Sequence, residues 1–251
     1  EQLADAGWQL AAKAAGETGA AVFADLGPAP DTENLPAEQV YLAVAKRFAL
    51  LGARNFLFET LSAEDGVLEA IRALKQTVPE AFVLVSFAVL PDGYTREGRH
   101  CAELVRSMTA CGAVDAVGLN CVSAPGAMRA LVQQLGETKL PLAVMPNAGY
   151  PVVTRTRVQY QGKPEYFARE LSGLAAEGAV DGIEVYHPSN SAEDSAECLA
   201  LCKQYGLVAT AGTDFHGRNH KHPHPIGTCT APDEAAAQLR AIAEKRKRER
   251  T

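Results

Sequence analysis

An α/β fold of the TIM-like (β/α)8 barrel type, in a single domain, is predicted by three observations. Short runs rich in Val, Leu, Phe and Ala each precede a polar loop and then a stretch of helical spacing, the alternation that gives parallel strands joined by helical crossovers. The runs recur at intervals of roughly 25 to 35 residues, the length of one strand–helix unit, and no linker interrupts them. No G-x-G-x-x-G follows any run, so the dinucleotide signature of a doubly wound sheet is missing. With 251 residues, 47% of them hydrophobic, the chain is long enough to enclose one such core.

The strand-like runs are, in order, A-A-V-F-A-D-L-G, N-F-L-F-E-T-L, F-V-L-V-S-F-A-V-L, A-V-G-L-N-C-V, P-L-A-V-M-P-N-A-G, G-I-E-V-Y-H-P and L-V-A-T-A-G-T-D. About six strands before residue 180, counting one near residues 20–26, and two after it make the eight that barrel closure needs. Among the helical pieces, P-A-E-Q-V-Y-L-A-V-A-K-R-F-A-L-L-G is closed by Gly52, and S-A-E-D-G-V-L-E-A-I-R-A-L is opened by Ser62 as an N-cap. The basic end K-R-K-R-E-R-T suits the last turn of a solvated helix, where cations oppose the helix dipole.

A formal charge of −6 gives no general attraction to a phosphate backbone, so no nucleic-acid partner is expected. No window approaches 18 uninterrupted apolar residues, and E-Q-L-A-D-A-G-W lacks the basic and apolar regions of a signal peptide, so no membrane partner and a cytoplasmic location are expected. The six cysteines lack a dense disulfide spacing and are expected to be reduced thiols. Because the chain opens on Glu1 rather than Met, a segment upstream of it is also expected.

In a barrel of this kind the chemistry sits at the C-terminal ends of the strands. Those ends carry Asp25, Glu59, Ser86, Asn120 with Cys121, Asn147, His187, and Asp214 with His216. A carboxylate directly after N-F-L-F is half-buried and costly without a partner, so Glu59 suits a cation such as an ammonium group. Ser86 and Asn147 serve equally as substrate ligands or as bonds to loop backbone. Cys121 reads either as a metal ligand or as a small buried hydrophobe. Asp214 and His216, two apart at a strand end, suit metal ligation, and His220, His222 and His224 alternate in a loop just beyond.

F-L-F-E-T, V-S-F with D-G-Y-T-R-E-G, V-G-L-N-C-V, P-L-A-V-M-P-N-A-G-Y-P and Y-Q-G-K-P-E-Y-F-A-R occur in an order and spacing that resemble the homocysteine S-methyltransferase family over about residues 8–179. The resemblance implies a small-molecule substrate and zinc as cofactor. It implies that Glu59 holds the amino group of homocysteine, that Asn120 lies beside the substrate, and that Cys121 is the first of three zinc-binding cysteines. The family's G-G-C-C-G-T strand, which supplies the other two, is replaced here by V-D-G-I-E-V-Y-H-P-S-N-S. Its first two strands, with their own substrate-binding residues, are likewise missing ahead of Glu1.

From Asp181 onward, D-G-I-E-V-Y-H-P-S-N-S-A-E-D, then L-V-A-T-A-G-T-D-F-H-G and P-I-G-T, resemble the end of a PHP-family metallophosphoesterase. That resemblance implies that Asp214 and His216 belong to a metal cluster, with manganese or iron as the alternative to zinc. The family's D-x-H-x-H segment does not occur, and Asn190 stands where a His is common. A chimera is therefore expected, with residues 1–179 from the first source and 180–251 from the second, joined near Ala179 to Gly182. Closure of the two fragments into one ring would gather Cys121, His187, Asp214 and His216 as a composite metal site. The function expected is zinc-dependent methyl transfer to a thiol, impaired in this chain. The alternatives are a metal-dependent phosphoesterase and an inactive barrel scaffold.

Overall fold

The computed structural model describes residues 2–18, 21–29, 35–147, 149, 151–153, 158–160, 164–188, 190–213 and 228–249. The chain divides into two compact units, residues 1–5 with 23–170 and residues 6–22 with 171–251. Helix α1 (Gln2–Thr18) begins in the first and continues in the second.

In the first unit, β1 (Phe23–Leu26), β2 (Asn55–Leu61), β3 (Phe82–Phe87), β4 (Ala116–Asn120) and β5 (Leu142–Met145) form one sheet in the order of the chain. Every neighbouring pair is parallel. Between the strands run α2 (Ala37–Leu50), α3 (Val67–Thr77), α4 (Cys101–Cys111) and α5 (Pro125–Leu135). Right-handed crossovers in an order that never reverses put successive helices on one side of the sheet, as in a barrel wall; a doubly wound sheet reverses order at a switch point.

The residues account for this layering. On β2, Phe56 and Phe58 are fully buried while Asn55, Leu57 and Glu59 are half-buried, the period-two pattern of a strand with one face under helices. The Tyr41 ring of α2 meets Phe58 edge-on at 5.8 Å between centroids, which identifies the helical side. All five residues of β4 are buried, as in a central parallel strand. Gly52 ends α2 as the sequence predicts, at φ 101°. Its N–H donates to the Ala49 carbonyl at 3.1 Å and that of Ala53 to Phe48 at 2.9 Å, the paired bonds of a Schellman motif.

The second unit holds the end of α6 (Pro164–Ala176), β8 (Gly182–Tyr186), α7 (Ala192–Tyr205), β9 (Val208–Ala211) and α8 (Ala235–Glu249). Strands β8 and β9 pair in parallel over buried Ile183, Val185 and Val208. Ser191 and Asp194 form a capping box at the start of α7. The basic end continues α8, with Lys245 and Arg248 exposed.

The seven predicted runs are the seven parallel strands β1–β5, β8 and β9. Two expectations are corrected. Among the described residues five parallel strands, where about six were expected, precede residue 180, and β6 (Pro151–Val153) and β7 (Val158–Tyr160) pair antiparallel. Ser62 does not cap α3. The N-cap is Gly66 at φ 71°, and a Cβ there would lie 2.4 Å from the Glu38 backbone nitrogen, so the close approach of α2 demands glycine.

Two outcomes follow from this packing. Phe58→Ala empties a fully buried ring site and lowers the unfolding free energy of the first unit by about 3–5 kcal/mol, read from urea denaturation. Burial pushes the Cys101 thiol and the Tyr41 phenol above their ordinary values. The folded chain therefore holds protons that the unfolded chain releases, and this stabilisation is complete below the unfolded values, about 8.5 for a thiol and about 10 for a phenol. It is lost as pH rises through that window, so the urea midpoint falls between pH 8 and pH 10.5; an unchanged midpoint contradicts the assignment.

Candidate functional site

The bond pattern at the C-terminal ends of β2, β3 and β4 begins with a bulge. Phe58 pairs with Val85 and Leu61 with Phe87, so Glu59 and Thr60 together oppose Ser86. The extra residue, Thr60, takes φ 59°, a left-handed conformation that a β-branched side chain rarely adopts. In that conformation its N–H leaves the ladder and donates to Asn120 Oδ1 at 3.1 Å.

Asn120, only 3% exposed, closes β4 and is held from both sides. Ser86 Oγ donates to Oδ1 at 2.8 Å. Nδ2 donates to Thr60 Oγ1 at 2.8 Å and lies 3.5 Å from Cys121 Sγ. The Thr60 hydroxyl stands 4.0 Å from the same sulfur. One amide thus joins three strand ends and faces a thiol.

Immediately beyond, Cys121 and Val122 also have positive φ, 56° and 49°. The Ser123 N–H folds back to the Cys121 carbonyl around Val122, a γ-turn of the rarer and strained hand. Ser123, fully buried, donates its hydroxyl to the Val89 carbonyl at 2.7 Å and accepts the Asn147 N–H at 3.1 Å. Three strained non-glycine residues cost of order 1–3 kcal/mol each, and strain of this kind clusters at active sites and ligand clamps.

The D-G-Y-T-R-E-G segment latches the loop after β3 onto the loop after β2. Buried Thr95 donates to the Ser62 carbonyl at 2.6 Å, Ser62 Oγ to Glu97 at 2.8 Å, and Arg99 pairs with Glu64 at 2.8 Å. Ser62, misread as a helix cap, is therefore part of the rim.

The structure brings together Glu59, Ser86, Asn120 and Cys121, half-buried to buried at adjoining strand ends, with Asn147 tied in through its backbone. Asp25 lies exposed on β1. His187 follows β8 in the second unit, while Asp214, His216, His220, His222 and His224 lie outside the described residues. Asn190 Nδ2 donates to the Val185 carbonyl at 2.9 Å. Sequence reasoning missed Thr60, which no local signal separates from an ordinary strand threonine. It also missed Gly118, for which a signal existed, since glycine inside a strand marks a close approach.

The described residues do not fit the three-thiolate zinc site that the resemblance implies. Cys121 Sγ has an amide and a hydroxyl as its hydrogen-bonding neighbours. Among the described residues no three His, Cys, Asp or Glu side chains converge as metal ligands. All six cysteines are free; Cys198 and Cys202 lie on α7, where burial pushes both thiols up. A cleft of about 560 Å³ between the starts of α2 and α3 is lined by the carboxylates Glu38, Glu64, Asp65 and Glu69 and is separate from the Asn120 network.

Gly118 sets the spacing of that network. A Cβ at Gly118 would lie 2.8 Å from Ser86 Oγ and 3.1 Å from Ser86 Cβ. Gly118→Ala drives the hydroxyl from Asn120 and destabilises the unit by about 1–3 kcal/mol in urea titration. Ser86→Ala added to it costs less than Ser86→Ala alone; full additivity contradicts the coupling.

The sequence model of one protein family, homocysteine S-methyltransferase, matches residues 1–183. A methionine synthase of Mycobacterium leprae is 32% identical over 131 residues, covering 50% of this chain and 11% of that protein. A phosphoribosyl 1,2-cyclic phosphate 1,2-diphosphodiesterase of Eggerthella lenta is 42% identical over 48 residues, covering 19% of this chain and 18% of that one. The chain therefore spans a small part of the curated relatives it matches. The apo crystal structure of the homocysteine methyltransferase MmuM from Escherichia coli aligns with a TM-score of 0.42 at 27% identity, over 51% of this chain and 50% of that chain. With a match over residues 1–183 of 251, the chain belongs to the homocysteine S-methyltransferase family.

Proposed function

We propose that the strand-end site of the first unit binds homocysteine, and that methyl transfer to its thiol is impaired in this chain. The observation that carries the reading is the buried Thr60–Ser86–Asn120 network beside Cys121, at strand ends, in a chain of this family. Glu59, half-buried at the β2 bulge, takes the ammonium group, and Ser86 and Asn147 complete the rim. Zinc, bound by three thiolates, would lower the pKa of the substrate thiol and keep the sulfur nucleophilic. Cys121 is the one member of that set that the sequence retains, which supports binding without efficient turnover.

A second reading has its own support. The D-F-H-G stretch and the 48-residue likeness to a curated diphosphodiesterase favour a tail, residues 180–251, drawn from a PHP-type phosphoesterase. In that reading Asp214 and His216, with His187, bind zinc, manganese or iron. Hydrolysis of a chromogenic phosphate ester with added Mn²⁺ or Zn²⁺ separates it from the first, and an inert scaffold gives neither activity nor binding.

Calorimetric titration with homocysteine tests the main reading. The chain binds, and Glu59→Gln weakens binding by about tenfold or more, because a charge-assisted hydrogen bond contributes about 1.5–3 kcal/mol. Methionine formation with methylfolate, methylmethionine or betaine as donor stays near the blank, and elemental analysis finds well under one equivalent of zinc. Undiminished binding by Glu59→Gln, or brisk methionine formation, overturns the proposal.

A further inference from the structure

We infer that Thr60 is a positioning residue of this site, whose N–H and hydroxyl together hold the Asn120 amide with its nitrogen toward the Cys121 sulfur; the inference rests on the proposed thiol-binding role. An asparagine amide has nearly the same shape in both orientations, so its neighbours must choose between them. The Ser86 hydroxyl both donates and accepts and therefore does not choose. The Thr60 backbone N–H only donates, and the atom it meets at 3.1 Å must be oxygen. The amide nitrogen is thereby turned toward Thr60 Oγ1 and Cys121 Sγ, at 2.8 and 3.5 Å.

That N–H is available because Thr60 occupies the bulge at φ 59°; a regular β2 would spend it on the ladder. Asn120 is moreover saturated. Its oxygen accepts two hydrogen bonds, and its two N–H groups face Thr60 Oγ1 and the sulfur. It acts on a bound thiol through the sulfur of Cys121 and the local geometry, not as a direct ligand of the amino-acid end. The strained threonine is what a structural role alone does not call for, since glycine would fill the bulge with less strain.

The variant Thr60→Gly exploits this. Glycine suits the positive φ, so the variant stays folded and its melting temperature remains within a few degrees of the parent. The variant keeps the backbone N–H that sets the orientation, but loss of the hydroxyl takes away the partner of one Asn120 side-chain N–H. Its solvent exchange, followed by NMR on the full chain, quickens at least tenfold, and the homocysteine dissociation constant rises about tenfold. Thr60→Ser, which keeps the hydroxyl, restores both. Unchanged Asn120 exchange in Thr60→Gly, or failure of Thr60→Ser to restore it, overturns the inference. Absence of homocysteine binding by the parent chain instead overturns the functional reading, and the exchange rates still judge Thr60.

Discussion

A primary amide buried at the end of a parallel strand must find partners for two donors and two acceptor positions, and the rest of the site depends on how Asn120 does so. Each unmet bond would cost about 1–3 kcal/mol. The solution recruits β2 through a bulge, β3 through Ser86, and the thiol of the following residue. Gly118 is bare because the Ser86 hydroxyl occupies the space its methyl would take. Positive φ at Thr60 accompanies the turn of its N–H from the ladder to Asn120, and positive φ at Val122 the turn that closes the Ser123 N–H on the Cys121 carbonyl. Strain of this kind persists where surrounding packing over-determines it, and the fully buried Phe56, Phe58, Phe87 and Leu119 supply that packing.

The family match ends at residue 183, the second residue of β8, and the features around that point bear on the proposed joint. Helix α6 closes on Gly178 at φ 66°, whose N–H bonds Ala175 while that of Ala179 bonds Leu174. The same two-bond cap closes α2 ahead of β2. A helix that ends in this way hands the chain to a strand regardless of which strand follows, so an exchange at 179–182 need not disturb local geometry. What such an exchange would remove is chemistry, because the cysteine pair that the family resemblance implies would lie on the strand exchanged.

Much of the fold was legible because apolar runs of strand length alternate with helical stretches, and F-V-L-V-S-F or A-V-G-L-N admits few other structures. The β6–β7 hairpin was not, since three-residue strands leave no period to read. Ser62 was misread because Ser before an acidic stretch has the form of an N-cap, whereas the reversal is made by Gly66 pressed against α2. Glu59, Ser86, Asn120 and Cys121 were named in advance from strand ends and family motifs, and the structure gathers them. The role of Asn120 was not legible, because it depends on a bulge that moves Thr60 off the ladder, and threonine after a strand glutamate gives no sign of a bulge. Asp214 and His216 lie outside the described residues, so the PHP-like half of the reading stands on sequence and likeness alone.

The central claim is that the thiol amino acid sits at the C-terminal ends of β2, β3 and β4. Homocysteine titrated into the isotopically labelled chain, with amide and side-chain resonances assigned, tests it most directly. The account expects saturable shifts concentrated at Glu59, Thr60, Ser86, Asn120, Cys121 and Ser123, with the opposite strand ends at Asn55, Phe82 and Ala116 unmoved. Shifts confined to the β8–β9 unit, or none at millimolar ligand, would contradict it.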